Sequence, residues 1–216
     1  MSFIVLEGTD GSGKSTQMNL LKAALPDFRH IDFPRYDKPS GALANLYLQG
    51  EYGAQADSVN PYAASMFFAV DRLASYLERG GWKEDYERGR LILADRFVSS
   101  NAIFQAAKLD EHQRLGFFGW LFGLEHDRVG LPRPDMTILL DMPGECAEQL
   151  MRSRNSGGDI HENDRAFQRR CRDTALLAAK TYDWTVIPCA DGGEIRTAEA
   201  IHADVFAAVT GLSPRI

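Results

Sequence analysis

The stretch Gly8-Thr9-Asp10-Gly11-Ser12-Gly13-Lys14-Ser15-Thr16 limits what this chain can fold into more than any other, because it fits the spacing G-x-x-x-x-G-K-[ST] and directly follows the apolar run Phe3-Ile4-Val5-Leu6-Glu7. A strand, a glycine-rich turn and a helix in that order make a cradle for phosphate groups. The glycines let backbone N–H groups converge on phosphate oxygens, and the helix adds the positive end of its dipole. Lys14 supplies a cation and Ser15 a hydroxyl suited to a magnesium ion. Gly8, Gly11, Ser12, Gly13, Lys14, Ser15 and Thr16 are thus expected to hold ATP or GTP. The reaction stays open at this point, since the same cradle serves switches, motors, transporters and kinases.

Further along, residues 91–94 and 136–140 are short apolar runs like residues 3–7, as expected of strands buried on both faces of a parallel sheet, with weaker candidates at 28–33 and 185–188. Helical patterns fall between them at 14–25, 40–48, 61–77, 98–107, 110–125, 145–152, 165–182 and 194–209. This alternation predicts a doubly wound α/β sheet in one domain spanning residues 1–216. The helix over 61–77 has Asn60 to cap it and Pro61 at its first position, and its stripe Tyr62, Met66, Ala69, Leu73, Leu77 reads as core.

Composition narrows the partners. A net charge of −6 argues against broad nucleic-acid binding, so any phosphate site must be local. No run approaches the length of a membrane helix, and the N-terminal residues lack a basic leader, so a soluble cytoplasmic protein is expected. Cys146, Cys171 and Cys189 have no metal-binding spacing and read as reduced, packed thiols.

A second set of residues suits an acceptor. Asp95 and Arg96 follow the strand at 91–94, at the sheet edge where open α/β folds bind ligands; Asp95 can orient magnesium or the acceptor, and Arg96 offers a planar fork for a phosphate monoester. Phe33, Arg35 and Tyr36 join rings and a cation around Pro34. Phe68 and Arg72 are four residues apart and share a helix face, so a ring can stack on a base while a guanidinium donates to its carbonyl. Ser99, Ser100, Asn101 and Gln105 bring hydroxyls and amides able to read a pyrimidine edge, or alternatively a helix cap and a solvated face. Between 152 and 172 lie six arginines, among them Arg152 and Arg154, flanking the Gly/Ser-rich stretch 153–158. That arrangement suits a lid over phosphates, in which Glu162 supports magnesium or the acceptor sugar. A base-reading NKxD motif, expected of a GTPase-type switch, is absent from the sequence. Kinases for other nucleoside monophosphates or for deoxynucleosides remain alternatives.

Taken in order, EGTDGSGKST, FPRYDKPSG, NPYAASMFFAVDR, ADRFVSSNAIFQAAK, LPRPDMTILLDMP and the DIHE-containing segment resemble the thymidylate kinases over nearly the whole chain. The resemblance implies a three-layer P-loop fold with a five-stranded parallel sheet, a short arginine-bearing lid at about residues 152–163, a homodimer, and magnesium-dependent transfer of the ATP γ-phosphoryl group to dTMP, giving dTDP for dTTP synthesis. It places Lys14 with Arg152 or Arg154 on the transferred charge, Ser15 and Asp95 near the metal, and Asp10 near the acceptor sugar or phosphate. It places Phe68 on thymine, Arg72 and Asn101 at the base edge, and Arg35, Tyr36 and Arg96 around the monophosphate. Two residues depart from the pattern. Gly11 stands where some members carry a P-loop arginine, which shifts the expected catalytic cation to the lid, and Phe97 stands where tyrosine is more frequent.

Overall fold

In the computed structural model, which describes residues 2–153, 160–161 and 164–211, the apolar runs pair into one parallel sheet. Its strands are β1 (Phe3–Glu7), β2 (Arg29–Asp32), β3 (Ile92–Asp95), β4 (Met136–Asp141) and β5 (Thr185–Pro188), in the order β2-β3-β1-β4-β5. Alternate residues of each strand feed opposite sides. Ile4 and Leu6 meet Leu93, Ile138 and Leu140 beneath α1 (Lys14–Ala24) and α9 (Ala198–Thr210). Phe3 and Val5 meet Ile92 and Ala94 beneath α5 (Val98–Phe104) and α6 (Glu111–Phe122). The result is the three-layer α/β fold expected from the alternation. Between these lie α2 (Ala42–Leu48), α3 (Pro61–Leu77), α7 (Gly144–Ser153) and α8 (Arg165–Thr181).

Three local readings need correction. The stripe on α3 is not core throughout: Ala69 is buried and Leu73 packs partly, but Tyr62, Met66 and Leu77 are exposed. The inward face of α3 instead carries Ser65, Asp71, Arg72 and Ser75, which build a polar site rather than an oily seam. A short helix α4 (Lys83–Glu87) was not expected; it packs Tyr86 against the fully buried Trp82 and Phe3. The last helix starts at Ala198, where Thr197 caps it through the Ala200 amide, and not at residue 194. Glu194–Ile195 instead pairs with Ala190–Asp191 in a two-stranded antiparallel ribbon whose turn is made by Gly192 and Gly193, both at positive φ. All three cysteines are free and buried. Among the described residues no helix is long and apolar enough to cross a membrane.

Candidate active site

β1, β2 and β3 end at one edge of the sheet, so the turns that follow them share a corner. The register sets Asp32 beside Asp95 and Leu6 beside Asp95. Gly13 precedes α1 in a left-handed conformation, φ 88°, with nothing within 4 Å of where a side chain would begin. Gly11, at φ 76°, is different. A Cβ there would lie 2.6 Å from the Ala147 carbonyl oxygen, because α7 packs against the loop. The contact and the positive φ together disfavour any side chain at that position.

The phosphate cradle opens into a cavity lined by Gly11, Ser12, Gly13, Lys14 and Ser15, facing Asp32 and Asp95. The Ser12 hydroxyl is buried with no hydrogen-bond partner among the described residues, an atom that suits a ligand. Lys14 is buried and donates to the Gly8 carbonyl at 3.0 Å; burial, reinforced by the charge of Arg96, pulls its pKa down to about 8. Ser15 and Thr16 are exposed on the first turn of α1, with Thr16 outside the cavity lining.

A second cavity adjoins the first, with about 630 Å³ of space partly open to solvent. The two share Asp10, Phe33, Pro34, Tyr36 and Arg96 as a common wall. Phe68, Arg72, Ser100, Asn101, Gln105 and His161 line the second cavity only. Arg96 sits at φ 68°, a conformation that costs a non-glycine residue about 1–2 kcal/mol and that clusters at functional sites. Its Nη2 donates to Asp10 Oδ1 at 2.7 Å and its guanidinium lies 4.8 Å from the Phe104 ring. Asp10 also accepts from Gln168 Nε2 at 2.9 Å. Burial drives the Asp10 carboxyl up, but Arg96, Lys14 and Gln168 outweigh it and hold Asp10 below its ordinary value.

The base-sized end of this cavity is held by buried polar groups. Arg72 is 1% exposed, donates Nε and Nη2 to Glu125 at 2.7 and 2.5 Å, and donates Nη1 to the Phe97 carbonyl at 3.3 Å. Asn101 Nδ2 donates to the Ser65 carbonyl at 3.2 Å. The Gln105 side-chain oxygen is buried and unpartnered. Ser100 does not cap a helix in solvent; its hydroxyl reaches both oxygens of the fully buried Glu7, which also accepts from Ser99 at 2.7 Å and from the Phe97 amide at 3.1 Å. Burial pushes the Glu7 carboxyl up, against Arg96, Ser99, Ser100 and Lys14. His161 accepts or donates at Nε2 with the Tyr47 hydroxyl at 2.8 Å, and Lys108 donates to that hydroxyl at 2.6 Å. Burial, then the charge of Lys108, lowers His161 to about 3, so its ring is neutral.

Some expected residues are placed elsewhere. The Arg35 guanidinium is held by Asp71 at 3.0 Å, Ser40 at 2.8 Å and Glu78, and lines neither cavity. Arg152 is exposed at the end of α7 and pairs with Glu148 at 3.4 Å, away from both cavities. Arg154 and Glu162 lie outside the described residues. Sequence reading missed Glu7, Asp32, Glu125, Gln168 and His161 with its partners. Asp32 carries one usable signal, as the last residue before the Phe33-Pro34 turn.

A strand-turn-helix phosphate cradle joined through shared walls to a pocket of rings, a guanidinium and amides defines a P-loop kinase for a nucleotide-like acceptor. A model of the thymidylate kinase family matches residues 6–199. A thymidylate kinase of Mycobacterium tuberculosis is 34% identical over 197 residues, covering 85% of this chain and 90% of the relative. One from Caulobacter vibrioides is 30% identical over 215 residues, covering 97% and 98%. The chain belongs to the thymidylate kinase family. Its fold is also that of a solved thymidylate kinase from Candida albicans, described as having broad substrate specificity, with a TM-score of 0.71 and 24% identity over 97% of this chain and 91% of that one.

Proposed function

We propose that this chain transfers the γ-phosphoryl group of ATP to dTMP, giving dTDP. The observation that carries the reading is the common wall of Asp10, Phe33, Pro34, Tyr36 and Arg96, which lets a donor on the P-loop and an acceptor monophosphate meet at one point. Phe68 offers a ring face for thymine. Arg72 and the free amide oxygen of Gln105 present a donor and an acceptor, complementary to a carbonyl and a ring N–H. Phosphoryl transfer needs alignment and charge relief rather than a nucleophilic side chain. The acceptor phosphate oxygen attacks, Lys14 and Arg96 offset the charge on the oxygens, and Asp10 keeps the Arg96 fork aimed. A coupled ADP-release assay with dTMP, dUMP, dCMP, dGMP, AMP, thymidine and no acceptor tests this; turnover with another acceptor alone, or without any, would overturn it.

Ser15 and Asp95 suit a magnesium ion held mainly by the nucleotide, since the described residues contain no group of three metal-ligating side chains that could cage one alone. A magnesium ion held there would supply positive charge against the donor phosphates, with Ser15 and Asp95 orienting it. The pH dependence follows from Lys14. In the free protein it loses its proton as pH rises through about 8, so kcat/KM for ATP should fall about tenfold per pH unit above that point. The fall in kcat should begin at higher pH, because bound phosphates favour the charged amine. A flat kcat/KM profile to pH 10 would remove Lys14 from donor binding.

The exposed residues Tyr62, Met66 and Val70 recur every four positions on α3, and Tyr62 packs its ring on Trp120 of α6 at 4.6 Å, the helix that also carries the exposed Leu115. This apolar face supports a homodimer. Met66→Glu with Leu115→Glu should convert a particle of twice the chain mass into one of single mass in sedimentation velocity, with the helical circular dichroism retained. Three free, buried cysteines suit a reducing compartment such as the cytoplasm.

A further inference from the structure

Behind the acceptor cavity lies another, with about 640 Å³ of space, that phosphoryl transfer leaves unused. Its walls are the start of α5, the first residues of β4, the segment Tyr182, Asp183 and Trp184, and a six-residue π-helical turn, Gly123–Arg128. π-helical turns are rare and occur frequently at functional sites. This one places Glu125 on Arg72 and the next residue, His126, into the rear cavity.

Two polar side chains more than nine-tenths buried face this cavity with an atom that has no partner among the described residues. His126, 8% exposed, donates Nδ1–H to the Leu131 carbonyl at 2.9 Å; burial lowers its pKa, so the ring is neutral and Nε2 is an open acceptor. Thr137, 7% exposed, makes no hydrogen bond through its hydroxyl. The Trp184 indole N–H, in the same lining, also has no partner among the described residues. Aromatic faces complete the walls: Phe122 stacks on His126 at 5.8 Å and meets Tyr182 edge-on at 4.5 Å.

The charges around the rim select against anions. Arg133 is paired with Asp127 at 2.6 Å, and Asp135 accepts from the Phe3 amide at 2.8 Å. Asp183 is exposed at the rim and repels anions. Deeper in the cavity, His126 offers an acceptor and Thr137 and Trp184 offer donors between flat aromatic walls.

We propose that the rear cavity is a second ligand site for a neutral, planar heteroaromatic lactam, donating N–H to His126 Nε2 and accepting at its carbonyl from Thr137 or Trp184. The occupant touches Phe97, which also lines the acceptor cavity and ties both Glu7, through its amide, and Arg72, through its carbonyl. Occupancy therefore alters acceptor binding through Phe97 and the π-turn. Binding stands independently of the dTMP reading, whereas the coupling rests on it.

Quinazolin-4(3H)-one is a suitable probe, followed by ligand-observed NMR and by tryptophan fluorescence of the full chain with dTMP at saturation. A dissociation constant of about 1 mM is expected for a fragment of this size. Thr137→Val keeps the side-chain shape and Trp184→Phe keeps a ring, and each should weaken binding about fivefold to tenfold by removing a hydrogen bond. The KM for dTMP should shift about twofold or more when the probe is saturating, the range of ordinary coupling between sites. No binding, binding unaffected by both variants, or displacement by dTMP in simple competition would overturn the site. Binding with an unchanged KM would overturn the coupling.

Discussion

Lys14→Ala is expected to lower kcat about a thousandfold, about 4 kcal/mol of barrier, while leaving the unfolding temperature unchanged or raised. The first half follows from position: Lys14 is the cation of the phosphate cradle and lines the donor cavity with Ser12 and Ser15. The second half follows from burial. Its pKa falls from 10.5 in the free side chain to about 8 in the fold, through burial first and then the charge of Arg96, so at neutral pH its charge works against folding by about 3 kcal/mol. The sign is that of a depressed lysine. Below pH 8 both states are protonated and the full penalty is present; it disappears as pH rises from 8 towards 10.5, where the unfolded chain holds the proton and the folded one does not. Alanine removes the penalty along with the Gly8 hydrogen bond, and the two partly cancel. Thermal unfolding at pH 7 beside single-turnover kinetics separates them. A variant that has lost its fold, or one that retains wild-type kcat, would contradict this account.

What the sequence made legible was what short spacing encodes. The P-loop is contiguous, Phe68 and Arg72 are one helical turn apart, and Arg96 follows its strand directly, so residues 8–16, 68, 72 and 96 were locatable before any fold was known. Partners distant in sequence were not. Glu125 lies 53 residues from Arg72, and Gln168 lies 158 from Asp10; nothing in local pattern names the carboxylate that will neutralise a given arginine. Arg35 shows the same limit in reverse. Its neighbours Phe33 and Tyr36 do face the cavities, but Asp71 on α3 and Glu78 just beyond it draw its guanidinium away. The stripe on α3 misled because helical periodicity reveals an apolar face without saying whether the domain's own core or another surface covers it. The ribbon at residues 190–195 was hidden by the run Ala198–Val209, whose helical period extends by pattern back over Glu194 and Ile195.

Glu125→Ala should destabilise the protein by about 3–5 kcal/mol, lowering its unfolding temperature by about 10 °C, because it strands a guanidinium that is 1% exposed. Glu125 never touches the acceptor cavity, yet it takes two of the three hydrogen bonds that fix Arg72 there; the third goes to the Phe97 carbonyl. The acceptor KM should therefore rise as well, and the loss of stability must be separated from the loss of aim. Replacing both partners does so. Arg72→Met with Glu125→Leu exchanges a buried ion pair for packed apolar side chains of similar volume, a change that is often neutral or stabilising. The double variant should recover most of the unfolding temperature while its KM for dTMP stays raised about tenfold or more, as expected from losing a charge-assisted hydrogen bond to the base. Recovery of both quantities together would mean that Arg72 only supports the fold. Recovery of stability alone assigns the guanidinium to the acceptor and makes Glu125 the group that aims it.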